Sequence, residues 1–297
     1  LRKVTLIVNP TAGRGRTARL VEVLQRAQGP DCEVLVTRAP GEARELAGSR
    51  RDDTDRVVVA VGGDGTVHEV GGALVGAEAI FGVLPAGSGN DFAKMLAEPP
   101  PPESAAEYFA SAEVRRCDAG EIRIRHADGR STQRYFINGV GIGFEAVVAD
   151  AASRARWLGG SARYIVSAVR RLLTYRAPDA VLRFDGREVA GPLFLVAVGN
   201  GRCAGGHFYL TPEAAIDDGL FDICFTTTRS IPRLLRRLPA ALRGRHLAFD
   251  DIELERSQAM QLQCPDGCMI HADGELLARN AVEVEVDILP GALRLAG

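Results

Sequence analysis

Arg56-Val57-Val58-Val59-Ala60-Val61-Gly62-Gly63-Asp64-Gly65-Thr66 passes from an unbroken apolar run straight into glycines. A run without polar alternation is the pattern of a strand buried on both faces. Gly62 to Thr66 is turn chemistry, and a helical pattern follows from about Val67. The unit recurs on both sides. Val4 to Val8 leads through Asn9-Pro10-Thr11-Ala12-Gly13-Arg14-Gly15 to helical spacing over Thr17 to Gln28. Glu33 to Thr37 reads as a strand and Glu42 to Ala47 as a helix. Ile80 to Leu84 is a further strand; Pro85-Ala86-Gly87-Ser88-Gly89-Asn90-Asp91 follows it, and Phe92 to Leu96 opens a fourth helix. This β-α-β-α order predicts an α/β domain with a parallel sheet.

Glu98-Pro99-Pro100-Pro101-Pro102 breaks that helix and reads as a rigid connector. From about Cys117 the pattern changes to short strands. Asp128-Gly129 and Asp185-Gly186 lie between paired strand patterns and predict hairpins; Asp266, after Pro265, reads as another turn. Further strands are expected at Leu193 to Val198, Phe221 to Thr226, Ala248 to Glu253, Ala259 to Gln263 and Val282 to Ile288, with helices at Ser161 to Leu173 and Pro232 to Leu242. The expected division is a nucleotide-binding α/β domain over 1–116 and a mainly antiparallel β-sandwich over 117–288.

The composition narrows the function. Charged residues are 25% of the chain and hydrophobic residues 46%, which argues for a folded globular protein. The net charge of −2 argues against a general nucleic-acid binder. No apolar run approaches the ~20 residues of a membrane helix, and Leu1-Arg2-Lys3 leads into a strand rather than a signal peptide. The first residue is not Met, so residues upstream are to be expected. The six cysteines, of which only Cys264 and Cys268 are close, read as reduced thiols of a cytoplasmic protein.

Three glycine loops follow parallel strands, at the edge where open α/β sheets bind ligands. Glycine admits close approach of phosphate oxygens, and helix-start N–H groups favour an anion. The hydroxyls of Thr11, Thr66 and Ser88 add donors. Asp64 and Asp91 would repel a phosphate directly, so a carboxylate there works through Mg²⁺ or polarises a hydroxyl. Neither G-x-x-x-x-G-K-[ST] nor a first-crossover G-x-G-x-x-G is present.

Val61-Gly62-Gly63-Asp64-Gly65-Thr66-Val67-His68-Glu69-Val70 resembles the nucleotide motif of the diacylglycerol kinase catalytic-domain family, which includes soluble bacterial lipid kinases and the sphingosine kinases. Leu84 to Ala93 is similar to its second motif, with Ser88 where threonine is more usual. The likeness continues, in family order, through Asn138 to Glu145, Asn200-Gly201, Gly205-Gly206, Asp217-Asp218-Gly219 and Asp273-Gly274-Glu275. The resemblance implies an N-terminal nucleotide domain, a C-terminal β-sandwich, and return of residues 289–297 to the first domain.

It also implies roles. ATP would be held by Asn9, Pro10, Thr11, Ala12, Gly13, Thr37, Gly62, Gly63, Asp64, Gly65, Thr66, Val67, Ser88, Asn90 and Asp91. His68, on the helix after the phosphate loop, is a weaker candidate for the same site. Glu275 and Asp273 are both candidates for the base that takes the hydroxyl proton, with Asp64 a third catalytic candidate. Asp218, with the carbonyls of Ala215 and Leu220, resembles a family Mg²⁺ site away from the phosphates.

The expected activity is an ATP- and Mg²⁺-dependent lipid kinase, with diacylglycerol the leading substrate. Alternatives are another lipid alcohol (a sphingoid base, phosphatidylglycerol), a NAD-kinase-like enzyme, or a catalytically silent lipid-binding regulator. The expected location is cytoplasmic, peripheral at a membrane surface. Arg229 to Arg245 carries six arginines and no acid among leucines, and is the first candidate for docking; Arg163 to Arg176 is a weaker one. Trp157 either packs in the core or touches lipid. The oligomeric state stays open, a homodimer included.

Overall fold

The computed structural model describes residues 1–27, 29–154, 162–228 and 230–297. Trp157, Leu158 and Arg229 lie outside the described residues. The chain forms two compact units: Leu1–Ala119 with Pro290–Gly297, and Gly120–Leu289.

The first unit is the parallel α/β sheet read from the apolar runs. Strands β1 (Lys3–Val8), β2 (Cys32–Val36), β3 (Arg56–Gly62) and β4 (Ile80–Pro85) lie in the order β2-β1-β3-β4, all parallel. Val57 to Val61 are fully buried, as an apolar run at the centre of a two-faced sheet requires. Helices α1 (Arg16–Ala27), α2 (Glu42–Gly48) and α3 (Asp64–Leu74) follow β1, β2 and β3. α3 therefore starts at Asp64, three residues before the expected Val67, with Gly63 as its N-cap residue. The fourth helix is corrected: Phe92–Met95 is a single 3-10 turn and Leu96 is already extended. The prolines from Pro99 onward lack N–H groups and bias the chain to extended backbone, so no helix propagates there. A short helix, α4 (Ala105–Ser111), follows the prolines.

The second unit is antiparallel. Strands β5 (Val114–His126) and β6 (Ser131–Phe136) form the hairpin at Asp128-Gly129, and β8 (Asp179–Phe184) and β9 (Arg187–Pro192) the hairpin at Asp185-Gly186. Between them lie β7 (Gly139–Gly143) and the helices α5 (Phe144–Arg154) and α6 (Ala162–Leu172). Then come β10 (Leu195–Gly199), β11 (Phe221–Thr226), α7 (Ile231–Ala241), β12 (Glu253–Ser257), β13 (Ala259–Ala272) and β14 (Glu275–Ala296). The sheet order β12-β11-β10-β7-β13-β14 encloses one apolar core around Phe136, Phe221, Phe225 and Ile270. Helix α5 was not legible as a helix, because its first residues continue a glycine motif.

Two more expectations change. The strand placed at Ala248 to Glu253 begins only at Glu253, after a 3-10 turn at His246–Ala248. Asp266-Gly267 does not separate strands. It lies within β13 as a bulge, with Gly267 at φ +81° and a register shift between Gln263 and Cys268.

Residues 290–297 are fastened into the first unit. Leu295 pairs with Phe81 of β4, and Leu293 and Leu295 are fully buried. Gly291 N–H donates to Asp118 Oδ1 at 2.7 Å, and Gly76 N–H to Ala292 O at 2.8 Å. Among the described residues no helix is long and apolar enough to cross a membrane.

Candidate active site

The three loops of the first unit hold one another. Asn9 Oδ1 accepts from Thr11 N–H at 3.0 Å and from its hydroxyl at 2.8 Å, while Asn9 Nδ2 donates to Thr66 Oγ1 at 3.2 Å. Gly13 has φ +57°, and a Cβ there would stand 2.3 Å from Ala86 O. Ala86 N–H donates to Gly62 O at 2.7 Å. Gly63 and Gly87 meet backbone to backbone: a Cβ on Gly87 would lie 2.4 Å from Gly63 Cα. Only glycine fits that crossing.

Asp64 is the clasp of the group. Its Oδ2 accepts from Asn90 N–H at 3.0 Å and its Oδ1 from Asp91 N–H at 2.6 Å. Asn90, at φ +54°, closes its own loop by accepting from Gly87 N–H at 3.0 Å. Asp91 is buried and ion-paired to Lys94 at 3.0 Å. Thr37 is buried at the end of β2, its N–H on Val8 O at 2.9 Å. Thr11, Gly65 and Ser88 are exposed. Both ring nitrogens of His68 are buried without a hydrogen-bond partner.

This arrangement fits a nucleotide's phosphates. Glycine backbone without Cβ atoms, two exposed hydroxyls and the start of an 11-residue helix whose cap supplies no side chain all favour an anion. Among the described residues no group of three or more His, Cys, Asp or Glu is arranged to hold a metal by itself. A Mg²⁺ ion here would share its coordination with phosphate oxygens, as this ion commonly does.

In the second unit, four separate sequence motifs converge on one turn. Asp273, between β13 and β14, has φ +49°. Its Oδ2 accepts from Ile137 N–H at 2.8 Å, and its Oδ1 from Asn138 and Gly139 N–H at 2.9 Å each. Its own N–H donates to Gly139 O at 2.9 Å. Asn200 Nδ2 donates to Ile137 O at 2.7 Å, and Gly201 N–H to Asn138 O at 2.8 Å. Asp273 is thus the tie that shapes this loop. Glu275, two residues on, is exposed at the start of β14.

Sequence reasoning missed a buried pair beneath the turn. His271 Nδ1 accepts from Gly274 N–H at 3.3 Å, which leaves the proton of the neutral ring on Nε2. Nε2 faces Glu145 Oε1 at 3.4 Å. A Cβ on Gly141 would strike both side chains. The available signal was a histidine two residues before the Asp-Gly-Glu motif and an acid closing the glycine motif.

The expected Mg²⁺ site at Asp218 is corrected. Asp218 Oδ1 accepts from Leu220 N–H at 3.1 Å, and Oδ2 is paired to the Arg256 guanidinium. Arg256 also meets Asp222 Oδ1 at 3.1 Å. Burial, then the negative Asp218 and Glu213 nearby, raise the Asp222 carboxyl, and Arg256 opposes them. A divalent ion on Asp218 would sit against this guanidinium, so Asp218, Ala215 and Leu220 do not fit one.

Comparison with known proteins now has a geometry to explain. Residues 3–122 match the diacylglycerol kinase catalytic domain, and residues 138–297 the YegS C-terminal NAD kinase beta sandwich-like domain. The chain belongs to the diacylglycerol kinase family of lipid kinases. A diacylglycerol kinase of Mycobacterium tuberculosis is 31% identical over 99% of this chain and 94% of its own. A Chromohalobacter salexigens protein described as a YegS-like lipid kinase is 32% identical over 95% of this chain and 90% of its own. The crystal structure of a Bacillus anthracis protein assigned to the diacylglycerol kinases superposes with a TM-score of 0.75. It is 26% identical and covers 99% of this chain and 97% of the other. Yeast NADH kinase shares the fold alone, with a TM-score of 0.54 at 11% identity, over 99% of this chain and 82% of its own. As a member of a kinase family the chain is a phosphotransferase that uses ATP.

Proposed function

We propose that this lipid kinase transfers the γ-phosphate of ATP, with Mg²⁺, to the hydroxyl of diacylglycerol, giving phosphatidic acid. The relatives named diacylglycerol kinase support the substrate. The observation that carries the chemistry is the division of labour at the Asp273–Glu275 turn. Asp273 spends both oxygens on backbone N–H groups, whereas Glu275 is exposed. Glu275 is therefore the base that accepts the lipid hydroxyl's proton, and Asp273 the positioning residue. When bound, Mg²⁺ neutralises charge on the phosphates. The chain's part is to bind and orient. The Asn9, Gly62 and Gly87 loops supply N–H groups, Thr11 and Ser88 hydroxyls, and Thr37 the nucleotide side. Asp64 fixes the loop carrying Asn90 and Asp91, and these two carboxylates are the ones that would meet a phosphate-borne cation.

The test is labelled ATP and Mg²⁺ with a panel of diacylglycerol, a sphingoid base, phosphatidylglycerol and NAD. Diacylglycerol should be labelled, and Glu275→Gln should lower its turnover by ~10²–10⁴-fold with ATP affinity retained. Labelling of NAD alone, of another lipid in preference, or of nothing overturns the reading.

A further inference from the structure

Helices α6 and α7 pack beside one another in the second unit, over a cluster of Phe144, Val148, Phe194 and Leu172. The inner face of α6 is buried through Ser167, Ala168 and Leu172. Its outer face is apolar as well: Val166, Val169 and, just past its end, Leu173 are 37, 38 and 63% exposed. At spacings of three and four residues they form a single stripe. Leu235 of α7 adds a fourth exposed apolar side chain, at 38%. Only two other large hydrophobics are exposed among the described residues, Leu1 and Tyr135. A single exposed Leu needs no explanation; a stripe does.

The charges around the stripe have one sign. Arg170, Arg171 and Arg176 on the α6 side, and Arg233, Arg236, Arg243 and Arg245 on the α7 side, are exposed. Residues 162–178 and 230–249 contain no acid. Arg237 is different: it is tied to Asp251 and stacked 5.0 Å over Phe249. The structure also reverses the order of the two candidate segments. Leu234 and Leu238 of α7 are half-buried against the cluster, so the open apolar face belongs to α6.

We propose that the α6–α7 face docks on an anionic lipid bilayer. Val166, Val169, Leu173 and Leu235 enter the acyl boundary, and the arginines reach the headgroup phosphates. Charge complementarity selects this occupant: an apolar row rimmed by guanidinium groups matches an apolar interior rimmed by phosphates. The proposal rests on a lipid being the acceptor, but its test reads binding and not turnover.

Wild type and two variants, Val166→Ser/Val169→Ser/Leu173→Ser and Arg170→Glu/Arg171→Glu, are sedimented with vesicles of phosphatidylcholine and of equal phosphatidylcholine and phosphatidylglycerol. Wild type should prefer the anionic vesicles, and each variant should lose about tenfold or more in affinity. Circular dichroism, and turnover of a short-chain diacylglycerol in detergent micelles, should stay at wild-type level. Variants that bind like wild type overturn the proposal. So does a triple variant that converts a wild-type dimer to monomer in sedimentation velocity, which would show a second copy covering the stripe. Anionic vesicle binding lost in both variants, in a protein that labels no lipid, supports the surface and sinks the kinase reading.

Discussion

Asp273 and Glu275 are both carboxylates, two residues apart in one motif, and sequence left them interchangeable. The backbone separates them. Asn at position 273 would present an NH₂ group to N–H donors that need an acceptor. Asp273→Asn should therefore lower stability by about 1–3 kcal/mol and reduce turnover with it. Glu275→Gln should leave the melting temperature unchanged, so paired melting and kinetic measurements tell positioning from catalysis. His246 offers a separate test by pH. It is buried, its Nε2 3.0 Å from Leu210 O, and burial pulls its pKa below 6.5. The unfolded chain then binds the proton more readily. The contribution of His246 is complete above pH 6.5 and is lost as pH falls towards the folded pKa. Denaturant titrations below pH 6.5 should show a shallower pH slope for His246→Gln than for wild type. The Glu145–His271 pair was not legible, because nothing in sequence says that two side chains 126 positions apart share one glycine, Gly141.

At the scale of elements, legibility followed burial. β1, β3 and β4 could be read because strands covered on both faces are continuous apolar runs. The hairpins at Asp128 and Asp185 could be read because Asp-Gly supplies the left-handed backbone such turns need. The same dipeptide at Asp266 misled, since a bulge uses the same conformation without reversing the chain. The helix after Asp91 failed because one turn of apolar spacing cannot outweigh four prolines that follow. The loops could be found but not their mutual contacts. Gly87→Ala tests those contacts: its Cβ would press on the Gly63 backbone, which has no side chain to move aside. We expect a loss of about 1–3 kcal/mol and a marked weakening of ATP binding, read by thermal melting and nucleotide titration.

Across the whole molecule, the net charge of −2 conceals local extremes. Acid-free arginine segments flank α6 and α7, while carboxylates gather at the loops and turns. Arg256 brings one such carboxylate cluster close to balance without a metal. Millimolar Mg²⁺ without nucleotide should therefore leave the melting temperature unchanged, and Arg256→Gln should lower it. A Mg²⁺-induced rise in wild type that Asp218→Asn abolishes would refute this account.

The fastening of Pro290–Gly297 into the first unit has a consequence for synthesis. The unit that begins with β1 contains buried leucines made last, Leu293 and Leu295. The 170 residues from Gly120 to Leu289 take roughly 10–35 s to translate at ~5–20 residues per second. For that interval the nascent nucleotide unit exposes the flank of β4 that residue 295 later covers. An unpaired strand edge on the ribosome is a site for chaperones and for misassociation. Ribosome-bound chains stalled just after residue 289 should therefore be cut by protease within 1–119 faster than chains released at 297.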